Sequence, residues 1–243
     1  MQYESRSRSI LKAISWRTLA TITTAVIVFV FTGKIALALT VGLLEVFAKM
    51  ALYFVHERVW QKLHFGKRDV PSFVVWFTGL PASGKKHLAD AVFKQLEKER
   101  LKVERLDSHD IRPLFPTVGF TPEDVDRHIR RAGHLASVLE KNGVIVIASF
   151  VSPFRESRDF ARGLARNFVE VYMETTPEAC ELRDEHGHYL QARQGKLSHF
   201  PGVNGPYDAP LNAEVVIDVD STPTEEAALQ VVQYLKKNIL QRP

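Results

Sequence analysis

An α/β domain with a parallel sheet and flanking helices, preceded by an all-α two-helix transmembrane hairpin, is the fold class this chain predicts. Three observations point there. Two uncharged runs lie in tandem between Arg17 and Glu45, broken only by Lys34. A glycine-bearing loop joins a strand pattern to a helix pattern at residues 73–100. Strand and helix patterns then alternate to the C-terminus.

The 243 residues are 45% hydrophobic and 25% charged, which suits a globular chain and excludes disordered and collagen-like ones. The single cysteine, Cys180, closes no intrachain disulfide and builds no Cys-based zinc site; it reads as a small buried apolar residue in a reducing compartment. The first 70 residues hold 10 of the 32 Lys and Arg but only 4 of the 28 Asp and Glu, so the basic charge is N-terminal. A nucleic-acid binder would carry that charge on its folded domain. The expected partner is therefore a membrane, with no nucleic acid.

The first apolar run, TLATITTAVIVFVFTG, has 16 residues. As a helix it is roughly 24 Å long against a hydrocarbon core of roughly 30 Å, so it spans only marginally, with Trp16 and Arg17 at the interface. The second helix, Ile35 to about Val55, is long enough. It sets Glu45 and Lys49 at i,i+4, where opposite charges relieve each other's burial and are expected to face protein rather than lipid. Contact with other helices follows, and with it a homo-oligomer through the hairpin.

Arg6, Arg8, Lys12 and Arg17 precede the hairpin, Arg58, Lys62, Lys67 and Arg68 follow it, and only Lys34 sits in its turn. That bias predicts a multi-pass protein of the cytoplasmic (inner) membrane, with both termini and the folded domain cytoplasmic. A secretory signal fits poorly, because a second apolar run stands where a small-residue cleavage site would be. The polar stretch His64–Ser72, with Gly66 and Pro71, separates two patterns, so the expected division is a membrane domain at 1–64, a linker at 65–72 and an α/β domain at 73–243. Residues 8–64 resemble a small bacterial two-helix membrane domain of unknown function. The likeness lies in Ser15-Trp16-Arg17, Thr32-Gly33, Glu45, Lys49 and the run Tyr53 to Trp60.

Phe73–Thr78 reads as a buried strand, followed by Gly79-Leu80-Pro81-Ala82-Ser83-Gly84-Lys85-Lys86-His87 and a helix over 88–100. Gly79, Gly84 and Lys85 fit the GxxxxGK of a phosphate loop, whose amides and following helix N-terminus cradle phosphate oxygens while the lysine reaches the transferable phosphate. Gly79, Ala82, Ser83, Gly84, Lys85, Lys86 and His87 are thus the candidate nucleotide-binding residues. The hydroxyl that ligates magnesium in such loops is replaced by Lys86.

Further on, the patterns predict strands at Val103–Leu106, Val144–Ser149, Phe168–Met173 and Glu214–Asp218. Helices are expected at Pro122–Lys141, near Ser157–Asn167, from Pro177, and at Pro223–Leu240. This is a P-loop NTPase-type parallel sheet, with ligands at the carboxyl ends of its strands, where Asp107, Ser152 and Arg155 fall.

From residue 71 to 236 the chain resembles adenosine 5′-phosphosulfate kinase (adenylyl-sulfate kinase). The likeness rests on six blocks in order: Trp76–Lys85, Leu106–Arg112, Gly119–Arg131, Phe150–Asp159, Glu174–Asp184 and Gln191–Pro210. The resemblance implies transfer of the γ-phosphate of ATP to the 3′-hydroxyl of adenosine 5′-phosphosulfate, with Mg2+. Lys85 and Asp107 would be catalytic, with Asp107 serving the metal or the acceptor hydroxyl. Arg112 would pair with the acceptor's anionic groups, Phe120 and Phe200 would stack on its adenine, and Ser152 and the residue at His128 would help to hold it. Gln191–Gly202 would be a lid that excludes water.

The chain departs from that family at Lys86 and His87 (Ser/Thr), Ser108 (Gly), His109 (Asp), Val125 (Arg), His128 (Asn) and Ser198-His199 (Lys-Asn). Two departures strip hard oxygen ligands and add positive charge, which should weaken magnesium binding. Asp110 offers a displaced carboxylate. Arg127 compensates poorly for Val125, because two residues turn a helix by about 200°. The expected function is a membrane-anchored kinase of this type. The alternative is a degenerate, non-catalytic nucleotide-binding module or a kinase with a different acceptor.

Overall fold

The computed structural model describes residues 6–62, 71–115 and 119–240. The chain divides into two compact units, Met1–Arg68 and Asp69–Pro243. The linker expected at 65–72 lies, apart from Pro71 and Ser72, outside the described residues, as do the side chains of Trp16 and Arg17.

The first unit holds α1 (Arg6–Thr32) and α2 (Ile35–Lys62), broken at Gly33-Lys34. Among the described residues one segment, Ile35–Val55, is long and apolar enough to cross a membrane, with mean hydropathy 2.0; the apolar part of α1, Ala20–Thr32, is shorter. The two helices pack where Gly42 meets Thr21 and Ala25. Glu45 and Lys49 pair as their spacing implies. Protein covers only half of that pair, however: Glu45 turns against Thr24 of α1, while Lys49 stays exposed.

The second unit is a five-stranded, all-parallel sheet. Its strands are β1 (Val74–Gly79), β2 (Val103–Asp107), β3 (Ile145–Ser149), β4 (Phe168–Glu174) and β5 (Val215–Asp218), ordered β2-β3-β1-β4-β5. β1 is central and buried along its whole length, as an unbroken apolar run predicts. Period-two alternation sends its side chains to two cores. Val75 and Phe77 join Leu88, Val92 and Leu96 of α3 (Lys85–Lys98), while Val74 and Trp76 face the opposite layer.

That layer begins after β2, with the short α4 (Ser108–Ile111) and a 3-10 turn at Arg112–Leu114. It continues through α5 (Pro122–Lys141) and α6 (Arg155–Leu164). Thr121 caps α5, accepting from the Asp124 N–H at 3.2 Å, ahead of Pro122 and two acidic residues in the first turn. Next come α7 (Pro177–Leu182) and α8 (His188–Arg193), and then α9 (Thr224–Leu235), which packs on α3.

Several elements depart from the sequence reading. α6 starts two residues early and ends at Leu164, because Ala165 is already extended toward β4. The patterns predict neither α4, nor the 3-10 turn after it, nor α8, whose last three residues fall in the expected lid. The last helix is regular only to Leu235, giving way to a wider π turn over Lys236–Leu240.

The strand order reverses between β3 and β4 around β1, so the loops after β1, β2 and β3 converge at one open end of the sheet. The α5–α6 contact supports that end from behind. A Cβ on Gly133 would lie 2.6 Å from Ala161 Cβ and 3.0 Å from its Cα. Gly133→Val should therefore destabilise this unit by about 1–3 kcal/mol through overpacking. Urea unfolding of the detergent-solubilised chain, followed by tryptophan fluorescence, would show a lower midpoint; an unchanged midpoint contradicts so close a contact.

Candidate functional site

The loop after β1 curls back under its own lysine. Lys85, the first residue of α3, is only 9% exposed; its Nζ donates to the Leu80 carbonyl at 2.6 Å and to Ser83 Oγ at 3.2 Å. Burial pulls its pKa down to about 8, against the opposing effect of the neighbouring Cys180. The curl needs left-handed backbone at Ala82 (φ 57°) and Gly84 (φ 81°). The α3 N-terminus has neither a side-chain cap nor an acidic residue in its first turn, whereas Thr121 and Thr176 cap α5 and α7. Its free amides and the positive end of its dipole suit a phosphate. Ser83 is buried with its hydroxyl facing Lys85, while Lys86 and His87 are exposed.

Lys86 reaches across to the end of β2, where its Nζ lies 3.7 Å from Asp107 Oδ2. Asp107 Oδ1 accepts the Asp110 N–H at 3.0 Å, capping α4. Asp110 thus contributes its amide here, and the residue itself is exposed. Ser108 and His128, both departures from the family pattern, meet at 3.1 Å through Oγ and Nε2. His128 is buried, and burial together with Arg112 and Arg131 pushes its pKa down to about 4, so the imidazole is neutral at pH 7. Its Nδ1 has no hydrogen-bond partner.

A cavity of about 750 Å³ opens beside this cluster, within the range of small-molecule sites. Arg112, Phe120, Val125, His128 and Phe200 line it, and Lys196–Pro201 form one wall. Arg112 donates to the Gly119 carbonyl at 2.9 Å, and its guanidinium lies 4.3 Å from the Phe120 ring centroid. The Phe120 side chain remains 67% exposed for a ligand. Phe200 stands edge-on to Tyr189 at 4.9 Å. Arg127 pairs with Asp124 at 3.5 Å and lines a separate groove along α5, so it does not stand in for an arginine at Val125.

Ser152 lines the same cavity. Its side chain is buried: Oγ accepts from Trp76 Nε1 at 3.1 Å and donates to Thr78 Oγ1 at 2.8 Å, so core partners hold the hydroxyl at the cavity wall. It does not cap α6, whose N-cap is Phe154. The residue sits at φ 39°, and the other non-glycine positive φ values around this end are Ala82 and His199. Each costs about 1–3 kcal/mol and holds the loops in shape around the cavity. Arg155 braces the segment after the lid, donating to Asp208 Oδ2 and the Ala209 carbonyl, both at 3.2 Å.

Four supporting residues escaped the sequence reading. The Tyr189 hydroxyl donates to the Pro81 carbonyl at 3.0 Å, and the Tyr207 hydroxyl meets Thr78 Oγ1 at 3.0 Å, tying α8 and the segment after the lid to the phosphate loop. Trp76 holds Ser152. Arg158, buried, pairs with Glu170 at 2.7 Å and donates to the Ser152 and Asp208 carbonyls at 2.7 and 2.6 Å. Their signal was the resemblance itself, since Trp76, Arg158 and Tyr207 lie inside its blocks.

The donors do not fit a protein-ligated magnesium. At the loop's hydroxyl position stands an ammonium, one oxygen of Asp107 is engaged by an amide, and no cluster of three or more His, Cys, Asp or Glu that could hold a metal exists among the described residues.

Comparison with known proteins agrees with this fold. Residues 71–218 match the family described as adenylylsulphate kinase, and residues 10–61 match one described as a predicted membrane protein, DUF2061. The adenylyl-sulfate kinase of Halothermothrix orenii is 39% identical over 171 residues, covering 70% of this chain and 92% of its own. The Mycobacterium tuberculosis APS kinase in complex with AMPPNP and APS superimposes with TM-score 0.65 at 32% identity, covering 69% of this chain and 99% of its own. A hexameric APS kinase from Thiobacillus denitrificans gives TM-score 0.54 at 25% identity, over 74% of this chain and 31% of its own.

Because Lys85 has its pKa near 8, it is charged below that pH and must take up a proton to meet a phosphate above it. The dissociation constant for ATP should therefore rise above about pH 8, by up to about tenfold per unit. Equilibrium dialysis with the full chain from about pH 7 to 9 would show this rise, and Lys85→Ala would lose it. A constant affinity in the parent chain contradicts the assignment.

Proposed function

The chain belongs to the adenylylsulphate kinase family, a family of phosphotransferases, and from that premise we propose that it transfers the γ-phosphate of ATP to the 3′-hydroxyl of adenosine 5′-phosphosulfate. The observation that carries the proposal is the uncapped N-terminus of α3 beside the buried ammonium of Lys85, at the open end of the central strand. An anion as dense as a triphosphate satisfies both.

ATP enters with its terminal phosphates on the 79–87 amides, and Lys85 exchanges the Leu80 carbonyl for a phosphate oxygen. The acceptor lies in the adjoining cavity, its adenine between Phe120 and Phe200 and its anionic groups toward Arg112. The acceptor oxygen bonds to the γ-phosphorus as the bond to the β,γ-bridging oxygen breaks. ADP leaves with that electron pair, and the hydroxyl proton passes to the Asp107 carboxylate. Magnesium, the family's usual partner of ATP, neutralises phosphate charge when bound; this chain's donor set offers it little, and no step here runs through it. Most of the acceleration comes from holding the two nucleotides in line and excluding water under the lid.

The apolar N-terminal unit holds the kinase at the cytoplasmic face of the inner membrane, with both termini inside. The exposed Lys49, a charge costly to leave in lipid, favours association with further helices, including a second copy. One observation favours a second reading, a different acceptor or a nucleotide-binding role without transfer: Val125, at the position of a family arginine, leaves the cavity one cation short for an anionic acceptor.

Coupled ADP release from the detergent-solubilised chain, supplied with ATP, magnesium and adenosine 5′-phosphosulfate, separates these readings. Acceptor-dependent ADP should appear and fall at least about a hundredfold in Lys85→Ala. Acceptor-dependent ADP no greater than that of Lys85→Ala contradicts the kinase reading.

A further inference from the structure

Resting on that reading for the place of ATP, we propose that the Lys86 ammonium is a built-in counter-cation of the nucleotide site, so that ATP binds here without help from a divalent metal. In a phosphate loop this position normally carries the hydroxyl that ligates magnesium. Here it carries a positive charge on a flexible four-carbon stem, 57% exposed, at the first turn of a helix with no acidic residue to hold it. Among the described residues its partner is Asp107 Oδ2, at 3.7 Å, too long for a fixed hydrogen bond and short enough to keep the ammonium over the gap between the loop and β2.

The same contact works against magnesium. Of the two Asp107 oxygens, Oδ1 accepts the Asp110 amide and Oδ2 faces Lys86, so a dication would have to displace an ammonium and then sit beside it. The neighbouring position, His109, supplies an imidazole where a hard oxygen is wanted, and Asp110, exposed, meets Asp107 through its backbone amide. Lys85 and Lys86 divide the work by burial. Lys85 approaches the phosphates from inside the loop, and Lys86 approaches from the acceptor side, where it also leaves Asp107 free of metal to receive the acceptor's proton.

Equilibrium dialysis of radiolabelled ATP against the full chain in detergent, with saturating magnesium or with EDTA, tests this. The parent chain should bind ATP with dissociation constants within about threefold of each other in the two buffers. Lys86→Thr should bind at least about tenfold more weakly in EDTA and recover with magnesium, as loss of a charge-assisted contact and gain of a hydroxyl ligand require. Lys86→Arg, which keeps the charge, should remain insensitive to EDTA.

A parent chain that needs magnesium to bind overturns the inference and leaves the kinase reading standing. Metal-free binding without acceptor-dependent ADP does the reverse. Lys86→Thr behaving as the parent overturns the inference, and no ATP binding in either buffer overturns both.

Discussion

A buried ammonium must be given acceptors, and at the centre of this protein those acceptors are part of the chain's own turn. Lys85 finds the Leu80 carbonyl and the Ser83 hydroxyl, and the loop can present them only by curling through left-handed backbone at Ala82 and Gly84. The curl is braced from outside. Tyr189 holds the Pro81 carbonyl, Phe200 packs edge-on against Tyr189, and Leu80 lies in a small core with Cys180 and Tyr189. Phosphate loop, α7–α8 and the lid are therefore one mechanical assembly, so a ligand that draws Lys85 off Leu80 acts on the wall of the acceptor cavity.

The departures from the family pattern are also coherent. Lys86 faces Asp107, and Ser108 meets His128, so four altered or adjoining positions come together across the gap between α3, α4 and α5. An isolated loss of function would leave each change with an unmatched neighbour. What this chain has instead is a redistributed charge pattern, with a cation moved from the acceptor wall, now Val125, to the phosphate loop.

The sequence made the central strand, the loop and α3 legible because each is local: an apolar run, two glycines and a lysine at fixed spacing, then helical periodicity. α4 has four residues and no period to read. The hydrogen bonds of Ser152 were not legible because its partners, Trp76 and Thr78, lie more than seventy residues away, and only the folded sheet brings that hydroxyl to them. Arg112, Phe120, His128 and Phe200 were named from the resemblance, and all four line one cavity. The outward turn of Lys49 depends on how α2 rotates against α1, which i,i+4 spacing leaves open.

The most direct measurement is a crystal structure of the chain with a non-hydrolysable ATP analogue. The account predicts the β- and γ-phosphates on the main-chain amides between Gly79 and Lys86, with Lys85 Nζ withdrawn from the Leu80 carbonyl and Lys86 Nζ turned from Asp107 to the γ-phosphate. A triphosphate lying outside the loop, with Lys85 still bonded to Leu80, would contradict it.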